Sequence, residues 1–273
     1  DDLDHQDLAS LAVSLLKAAP TSAGIFLSDE RAQAGLGLAP SLLTALSEPL
    51  LPAVLKRLLV PDADFEVALT ALRRRCLDLA MHRPSPAPDP LVLTVAQALA
   101  QQCFLNEYLF QESPDEASAL AGLREQLLSA GGPWDDWQAL GLALLASYRS
   151  LHRDRDIESV VTRAKSAAYE ETLALIASQF DEPRAEADIA AEISSLGKIT
   201  DSTSQAVRAQ YEENPSPRWR SLHRLPAQPL ARVLPDICPA LVGLRPPPEN
   251  PRVLVAGCGT GRHALLAAQL YRP

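Results

Sequence analysis

The sequence predicts a mainly α-helical protein in which a helical domain is followed by a proline-rich arm and one β-α unit. Three observations lead to this prediction. Leucine and alanine are plentiful while aromatic residues make up only 5% of the chain, a mixture that favours packed helices. Apolar residues recur at helical spacing through residues 3–213. Prolines then punctuate residues 214–250, and a glycine-rich loop follows a short apolar run at 252–256.

Residues 1–200 are predicted to form the helical domain, residues 201–250 a connecting arm, and residues 251–273 the start of a further, incomplete domain. Its first helix carries leucine or alanine at every third or fourth position and ends before Pro20. Four prolines within residues 81–90 indicate an extended segment, so a division of the helical region at that point stays open. The helices expected along the chain lie at residues 3–19, 62–79, 91–110, 113–130, 135–151, 155–180, 182–196 and 203–213, and in the run 40–60, which Pro49 and Pro52 are expected to break or kink.

The start of one helix can be read in detail. Ser113 is followed three residues later by Glu116, which is the pattern of a capping box. Pro114 suits the first helical position, where its missing N–H costs nothing. Gly131 and Gly132 mark the end of this helix.

Charge and hydropathy exclude several classes of function. The net charge is −9 with a pI of about 5.1, which argues against a large nucleic-acid interface because such an interface needs a basic surface. No apolar run approaches the roughly 20 residues of a membrane-spanning helix. The first ten residues lack the basic and apolar regions of a signal peptide. These features predict a cytoplasmic protein without a membrane partner.

The cysteines and the arginine run have ordinary structural interpretations. No CxxC pair occurs, so neither a metal site nor a disulfide framework is predicted. Cys76 and Cys103 lie among leucines and alanines and are predicted to be buried thiols. The run Arg73–Arg75 is predicted to be a solvated helix face. Glu107 and Tyr108 are likewise predicted to lie on a helix surface.

The most informative segment is PRVLVAGCGTGRHALLAAQLYRP, residues 251–273. Residues 252–256 have the composition of a buried strand, the loop GCGTG follows at once, and residues 263–270 have helical character. Strand, glycine loop and helix form the first unit of a Rossmann-like sheet. The glycines permit a tight turn, and the start of the helix adds a partial positive charge.

The loop does not fit two common nucleotide motifs. A dinucleotide fingerprint requires glycine where Arg262 stands, and a P-loop requires a lysine that is absent. The loop instead resembles motif I of class I S-adenosylmethionine-dependent methyltransferases. That resemblance implies that Gly257, Cys258, Gly259, Thr260 and Gly261 wrap the amino-acid end of the cofactor. Two alternatives to this interpretation of the loop remain: a purely structural turn, and a nicotinamide or flavin site. Cys258 is interpreted as a small residue in a tight turn.

A second segment, QAVRAQYEENPSPRW at residues 205–219, precedes the loop. It resembles a segment of bacterial methyltransferases that are often associated with tetratricopeptide repeats, and LAQQCFLNEYLF at 99–110 and the acidic segment at 182–186 are also similar to that group. The resemblance implies a lid over the cofactor formed by Tyr211, Asn214, Arg218 and Trp219. Ser216 stands where the group usually has an aromatic residue. Alternatively, Tyr211 and Trp219 only fasten the arm to the helical domain.

These resemblances lead to a set of expectations about function. The chain is expected to be the first part of a methyltransferase that uses S-adenosylmethionine and releases S-adenosylhomocysteine. Because the later strands of such a sheet do not appear, residues 252–273 are expected to be disordered, borrowed by a neighbour or poorly packed, and this fragment alone is predicted to be inactive. No catalytic residue can be assigned. A protein or small-molecule methyl acceptor is favoured over nucleic acid, and a homodimer stays open. The alternative is a non-catalytic helical interaction module with a vestigial glycine loop.

Overall fold

A computed structural model describes residues 5–21, 25, 40–83, 85–167, 169–194, 197, 200–213, 215, 218, 219, 222, 226–241 and 252–272. The chain divides into two compact units, Asp1–Thr200 and Asp201–Pro273. It is mainly helical, which confirms the predicted class. Within the described residues, no helix combines the length and apolar character needed to cross a lipid bilayer.

The described residues of the first unit form α-helices, two short 3₁₀ turns and a π-turn. The helices are α1 (His5–Ala18), α2 (Pro40–Leu46), α3 (Leu50–Arg57), α4 (Ala63–His82), α5 (Pro90–Leu105), α6 (Pro114–Ser129), α7 (Asp136–Tyr148), α8 (Glu158–Ala167), α9 (Glu170–Ile176) and α10 (Glu182–Glu192), and the 3₁₀ turns are Leu151–Arg153 and Arg155–Ile157. Helices α4 and α5, on either side of the proline-rich segment, contact each other.

Helices α5 and α7 form the centre of this unit. Every residue of α7 from Trp137 to Tyr148 is buried, and so is every residue of α5 from Val95 to Leu105. A helix that is apolar on all sides is stable only when neighbours surround it. Here α5 packs against α7 on one side and α3 on another, while α4 and α6 cover α7.

The caps follow the sequence closely. The Ser113 hydroxyl accepts from the Glu116 N–H, and the Glu116 carboxylate accepts from the Ser113 N–H, so the predicted capping box is confirmed. A second capping box joins Asp135 and Gln138 at the start of α7. Such caps satisfy N–H groups that the first helical turn leaves without partners.

One long helix is interrupted by a π-turn. Helices α9 and α10 are joined without a break by the π-turn Ala177–Asp181. An inserted residue of this kind shifts the face that the following side chains present. The turn places the side chains of Ser178 and Gln179 in the interior, against α5.

The prediction of a solvated arginine face is wrong for Arg73. Its side chain is 1% exposed and lies between helices α4 and α7. The guanidinium donates to the carbonyls of Gln111 and Ser147 and stacks over the Tyr148 ring, 3.8 Å from its centroid. Arg73 therefore places a cation in the core, where its N–H groups donate to backbone carbonyl oxygens.

The prediction for Glu107 and Tyr108 is also wrong. Helix α5 ends at Leu105, and both residues have positive φ, 57° and 60°. The Tyr108 N–H donates to the Cys103 carbonyl, and its hydroxyl donates to Gln179. The left-handed conformation closes the end of α5 and turns the tyrosine towards the π-turn instead of towards the helix surface.

The second unit has fewer regular elements. These are α11 (Ser202–Glu213), β1 (Gln228–Pro229), α12 (Leu230–Ile237), a 3₁₀ turn (Pro239–Leu241), α13 (Arg262–Leu270) and β2 (Tyr271–Arg272). The two strands are parallel, with Gln228 opposite Tyr271 and Pro229 opposite Arg272.

The predicted strand at residues 252–256 is not present as a strand. Residues 252–255 make no ladder with any described segment, and Val253 and Leu254 are 54% and 89% exposed. A strand exists only where a neighbour pairs with its N–H and C=O groups, and here the described strand pair joins β1 to β2. The helical half of the predicted β-α unit forms, as α13, while the strand half does not.

Candidate functional site

The glycine loop, residues 257–261, has a backbone that only glycine adopts without strain at three positions. Gly257, Gly259 and Gly261 have φ values of 66°, 54° and 82°. A Cβ placed on any of them would meet no atom within 4 Å. The glycines are therefore required by backbone conformation and not by crowding, and the space beside the loop is open.

The loop leads directly into α13. Gly261 is the N-cap residue, its N–H donates to the Cys258 carbonyl at 3.0 Å, and its carbonyl accepts from Leu265 at 3.0 Å. Glycine has no side chain to cap the N–H groups of the first turn. The positive end of the helix thus adjoins a loop in which Gly257, Cys258 and Gly259 are exposed, an arrangement that favours a ligand carboxylate or phosphate.

Trp219 connects the proline-rich arm to this loop. Its indole Nε1–H lies 3.2 Å from the hydroxyl oxygen and 3.3 Å from the carbonyl oxygen of Thr260, 41 residues further along the chain. Both side chains are half-buried. The two segments that the sequence singled out therefore meet in the structure through a shared hydrogen bond.

The other predicted lid residues are placed differently. Tyr211 lies on α11 and is 66% exposed, so the structure does not enclose it beside the loop. Arg218 is half-buried next to Trp219. Asn214 lies outside the described residues. Of the predicted lid, Trp219 is the residue whose contact with the loop is defined.

The thiol in the loop has no arrangement typical of a nucleophile. Cys258 is exposed, and its Sγ lies 3.9 Å from the Gly259 carbonyl. His263, the nearest imidazole in sequence, is exposed on the first turn of α13. Across the described ranges, no group of three or more His, Cys, Asp or Glu residues could hold a metal ion. The interpretation of Cys258 as a small turn residue agrees with this geometry.

A buried polar cluster in the first unit was missed by the sequence analysis. On α5, Gln97 donates to the Thr172 hydroxyl, and Gln101 and Ser178 exchange hydrogen bonds of 2.8 and 3.0 Å. Gln179 of the π-turn donates to the Ala100 carbonyl. The available signal was the pair of glutamines four residues apart on an otherwise apolar helix. These side chains satisfy one another, so the cluster fixes how the π-turn packs on α5.

Two clefts are lined by described residues of the first unit. One, of about 430 Å³, lies between the ends of α4 and α6 and is lined by Met81, His82, Arg83, Gln126 and Gln138, among others. A smaller one, of about 120 Å³, is mostly apolar and is lined by Leu43, Leu79, Val92, Trp137 and Leu140, among others.

Comparisons with models of known protein families, with curated proteins and with solved structures found no match to this chain.

Proposed function

We propose that the chain belongs to a methyltransferase that binds S-adenosylmethionine through residues 257–261. The observation that carries this proposal is the hydrogen bond from Trp219 to Thr260. The loop and the arm segment each resemble the same group of methyltransferases, and the contact between them is what a shared cofactor site requires. The resemblance is the reason for proposing this ligand, and the contact between the loop and the arm supports the proposal.

The residues of the loop fit the amino-acid end of that cofactor. The exposed backbone of Gly257–Gly259 and the start of α13 favour a carboxylate. At Gly257, Gly259 and Gly261 no Cβ narrows the loop, and a Cβ placed there would meet no atom of the described residues within 4 Å. When bound, the cofactor supplies an electrophilic methyl group on sulfur, and the role of the loop is to hold the amino-acid end and so orient the cofactor.

The proposal leaves the methyl acceptor as a protein or a small molecule. The net charge of −9 makes nucleic acid a poor partner because its phosphates would be repelled. A cytoplasmic location belongs to the same proposal. No acid or base is assigned to the transfer.

The test is calorimetric titration of S-adenosylhomocysteine into the protein expressed from its complete reading frame. We expect a dissociation constant in the micromolar range and a loss of at least about tenfold in Gly259→Arg, because φ at this position is 54° and a long side chain would fill the open space. Gly131→Arg is the matched control: Gly131 is exposed, and a Cβ there meets nothing within 4 Å.

Absence of binding at about 1 mM ligand, or equal binding by the wild-type protein and Gly259→Arg, would contradict the proposal. The helical interaction module would then be favoured. The observation in its support is the pair of exposed isoleucines on one face of α10 and just beyond it, Ile189 and Ile193, which are 61% and 70% exposed.

A further inference from the structure

The indole of Trp219 is turned towards the backbone of the glycine loop. Its N–H is shared between the hydroxyl and the carbonyl oxygen of Thr260, at 3.2 and 3.3 Å. We infer that Trp219 is a positioning residue that holds the Thr260–Gly261 peptide group in one orientation, and is not a platform on which the adenosyl group stacks. This inference rests on the proposed function.

The peptide group between Thr260 and Gly261 is held at both of its ends. The carbonyl of Thr260 accepts from Trp219, and the N–H of Gly261, in the same planar group, donates to the Cys258 carbonyl at 3.0 Å. A trans peptide is rigid, so its C=O and N–H point in opposite directions and rotate together. Two hydrogen bonds at opposite ends therefore oppose rotation of the whole group.

Without such restraint, this peptide group would rotate easily. Rotation changes φ of Gly261, and glycine populates positive and negative φ about equally. The neighbouring Gly259 is also in the left-handed region, and a Cβ placed on either glycine would meet no atom of the described residues within 4 Å. Rotation would reverse the Gly261 N–H and alter the entry of the chain into α13, whose first turn adjoins the ligand end of the loop. The restraint from Trp219 thus acts on the shape of the binding loop through its backbone.

Two ligands separate positioning from stacking. S-adenosylhomocysteine carries both the adenosyl group and the amino-acid end, whereas 5′-methylthioadenosine carries the adenosyl group alone. Since the loop is proposed to hold the amino-acid end, a change in loop shape should weaken the binding of S-adenosylhomocysteine and leave the binding of 5′-methylthioadenosine unchanged. Loss of a stacking surface should weaken both.

The experiment measures both dissociation constants for the wild-type protein and Trp219→Phe, again from the complete reading frame. Phenylalanine keeps an aromatic ring but has no N–H to donate. We expect a loss of about five- to tenfold for S-adenosylhomocysteine, which corresponds to one hydrogen bond, and a change of less than about twofold for 5′-methylthioadenosine. Trp134→Phe is the matched control, because the Trp134 indole N–H is buried without a hydrogen-bond partner and its removal should change neither constant.

A second measurement does not depend on the ligand. The indole N–H of Trp219, observed by proton–nitrogen NMR in the free protein, should exchange more slowly than that of an exposed indole, and Thr260→Val should move its resonance. Thr260→Val removes the hydroxyl acceptor but keeps the carbonyl, so some protection should persist.

The outcomes are distinguishable. If the wild-type protein binds neither ligand, the proposed function fails, and the inference fails with it. If the wild-type protein binds both ligands, and Trp219→Phe lowers the affinity for both equally or for neither, the proposed function survives and the inference is overturned. If Trp219→Phe loses its fold by circular dichroism, the NMR measurement on Thr260→Val decides: an unmoved, fast-exchanging Trp219 resonance overturns the inference, and a shifted, protected one supports it.

Discussion

Replacement of Arg73 by methionine should destabilise the first unit more than any surface arginine replacement. Methionine has a similar length and fills much of the same space, but it cannot donate hydrogen bonds. Arg73 donates to Gln111 at 2.7 Å and to Ser147 at 3.2 Å, and its guanidinium lies over the ring of Tyr148. The substitution would leave the half-buried carbonyl oxygen of Gln111 and the buried one of Ser147 without these donors.

The expected loss follows from these contacts. Hydrogen bonds from a charged donor contribute about 1.5–3 kcal/mol each, and a desolvated cation over an aromatic ring contributes about 2 kcal/mol. Removal of a buried cation also ends the cost of keeping it out of water, so the contributions do not simply add. Breaking a buried ionic network typically costs 3–5 kcal/mol, and we expect about 3 kcal/mol for Arg73→Met.

The neighbouring carboxylate should remain satisfied in this variant. Glu116 accepts from the hydroxyl of Tyr148 at 2.7 Å and from the N–H of Ser113 at 2.9 Å, and Arg74 lies 3.2 Å away. Burial alone would raise the pKa of Glu116, but the hydrogen bonds from Tyr148 and Ser113 hold it below its ordinary value. The loss in Arg73→Met should therefore come from the carbonyl oxygens, the aromatic contact and the buried ion pair, in which the Arg73 guanidinium lies 4.0 Å from the Glu116 carboxylate.

The assay is urea unfolding, monitored by tryptophan fluorescence, of proteins that also carry Trp219→Phe. In that background the two remaining tryptophans of this sequence, Trp134 and Trp137, both lie in the first unit and report on its unfolding. With a slope of about 2–3 kcal/mol per molar urea, the midpoint should fall by about 1–1.5 M. Arg155→Met is the control, since Arg155 is exposed and its replacement should change stability by less than about 0.5 kcal/mol. A loss below about 1 kcal/mol for Arg73→Met would refute the reasoning.

Two further predictions concern titration and thiol reactivity. A hydrogen bond from Arg124 holds the pKa of Asp154 below its ordinary value, so the pair stabilises the fold at pH above about 4, and this contribution is lost as the pH falls through the lowered pKa. In Asp154→Asn, the urea midpoint should therefore fall less between pH 6 and pH 3 than in the wild-type protein. An equal fall in the two proteins would contradict the role of the pair. Burial raises the pKa of Cys76 and of Cys103 to about 12, whereas Cys258 is exposed. At pH 8, iodoacetamide should modify Cys258 readily and the two buried thiols only after unfolding, as peptide mass mapping would show; rapid native labelling of Cys103 would contradict its placement.

Local features of the fold were predictable because they depend on neighbours in sequence. The capping box of Ser113 and Glu116 and the burial of Cys76 and Cys103 were all correct. The class of the fold was correct for the same reason, since helical spacing of apolar residues extends through most of the chain. Where the prediction failed, the decisive partner was distant in sequence.

Arg73 and the strand at 252–256 illustrate that failure. An arginine between two others looks solvated, but Arg73 meets carbonyl oxygens of residues 37, 38 and 74 positions away. Residues 252–255 have the composition of a strand, but a strand also needs a partner, and the described ladder joins β1 and β2 instead. The composition of a segment indicates its propensity to form a strand, whereas strand pairing depends on which segment lies beside it.

The sequence alone determined the helical class, the caps and the presence of a loop with three glycines at 257, 259 and 261. Each follows from short-range stereochemistry that any chain with these residues would obey. Only the tertiary structure decided that Arg73 lies in the core, that a π-turn carries Gln179 against α5, and that Trp219 donates to Thr260. These features depend on contacts between residues far apart in sequence. The hydrogen bonds and burial gained in those contacts outweigh the local preferences of the segments involved.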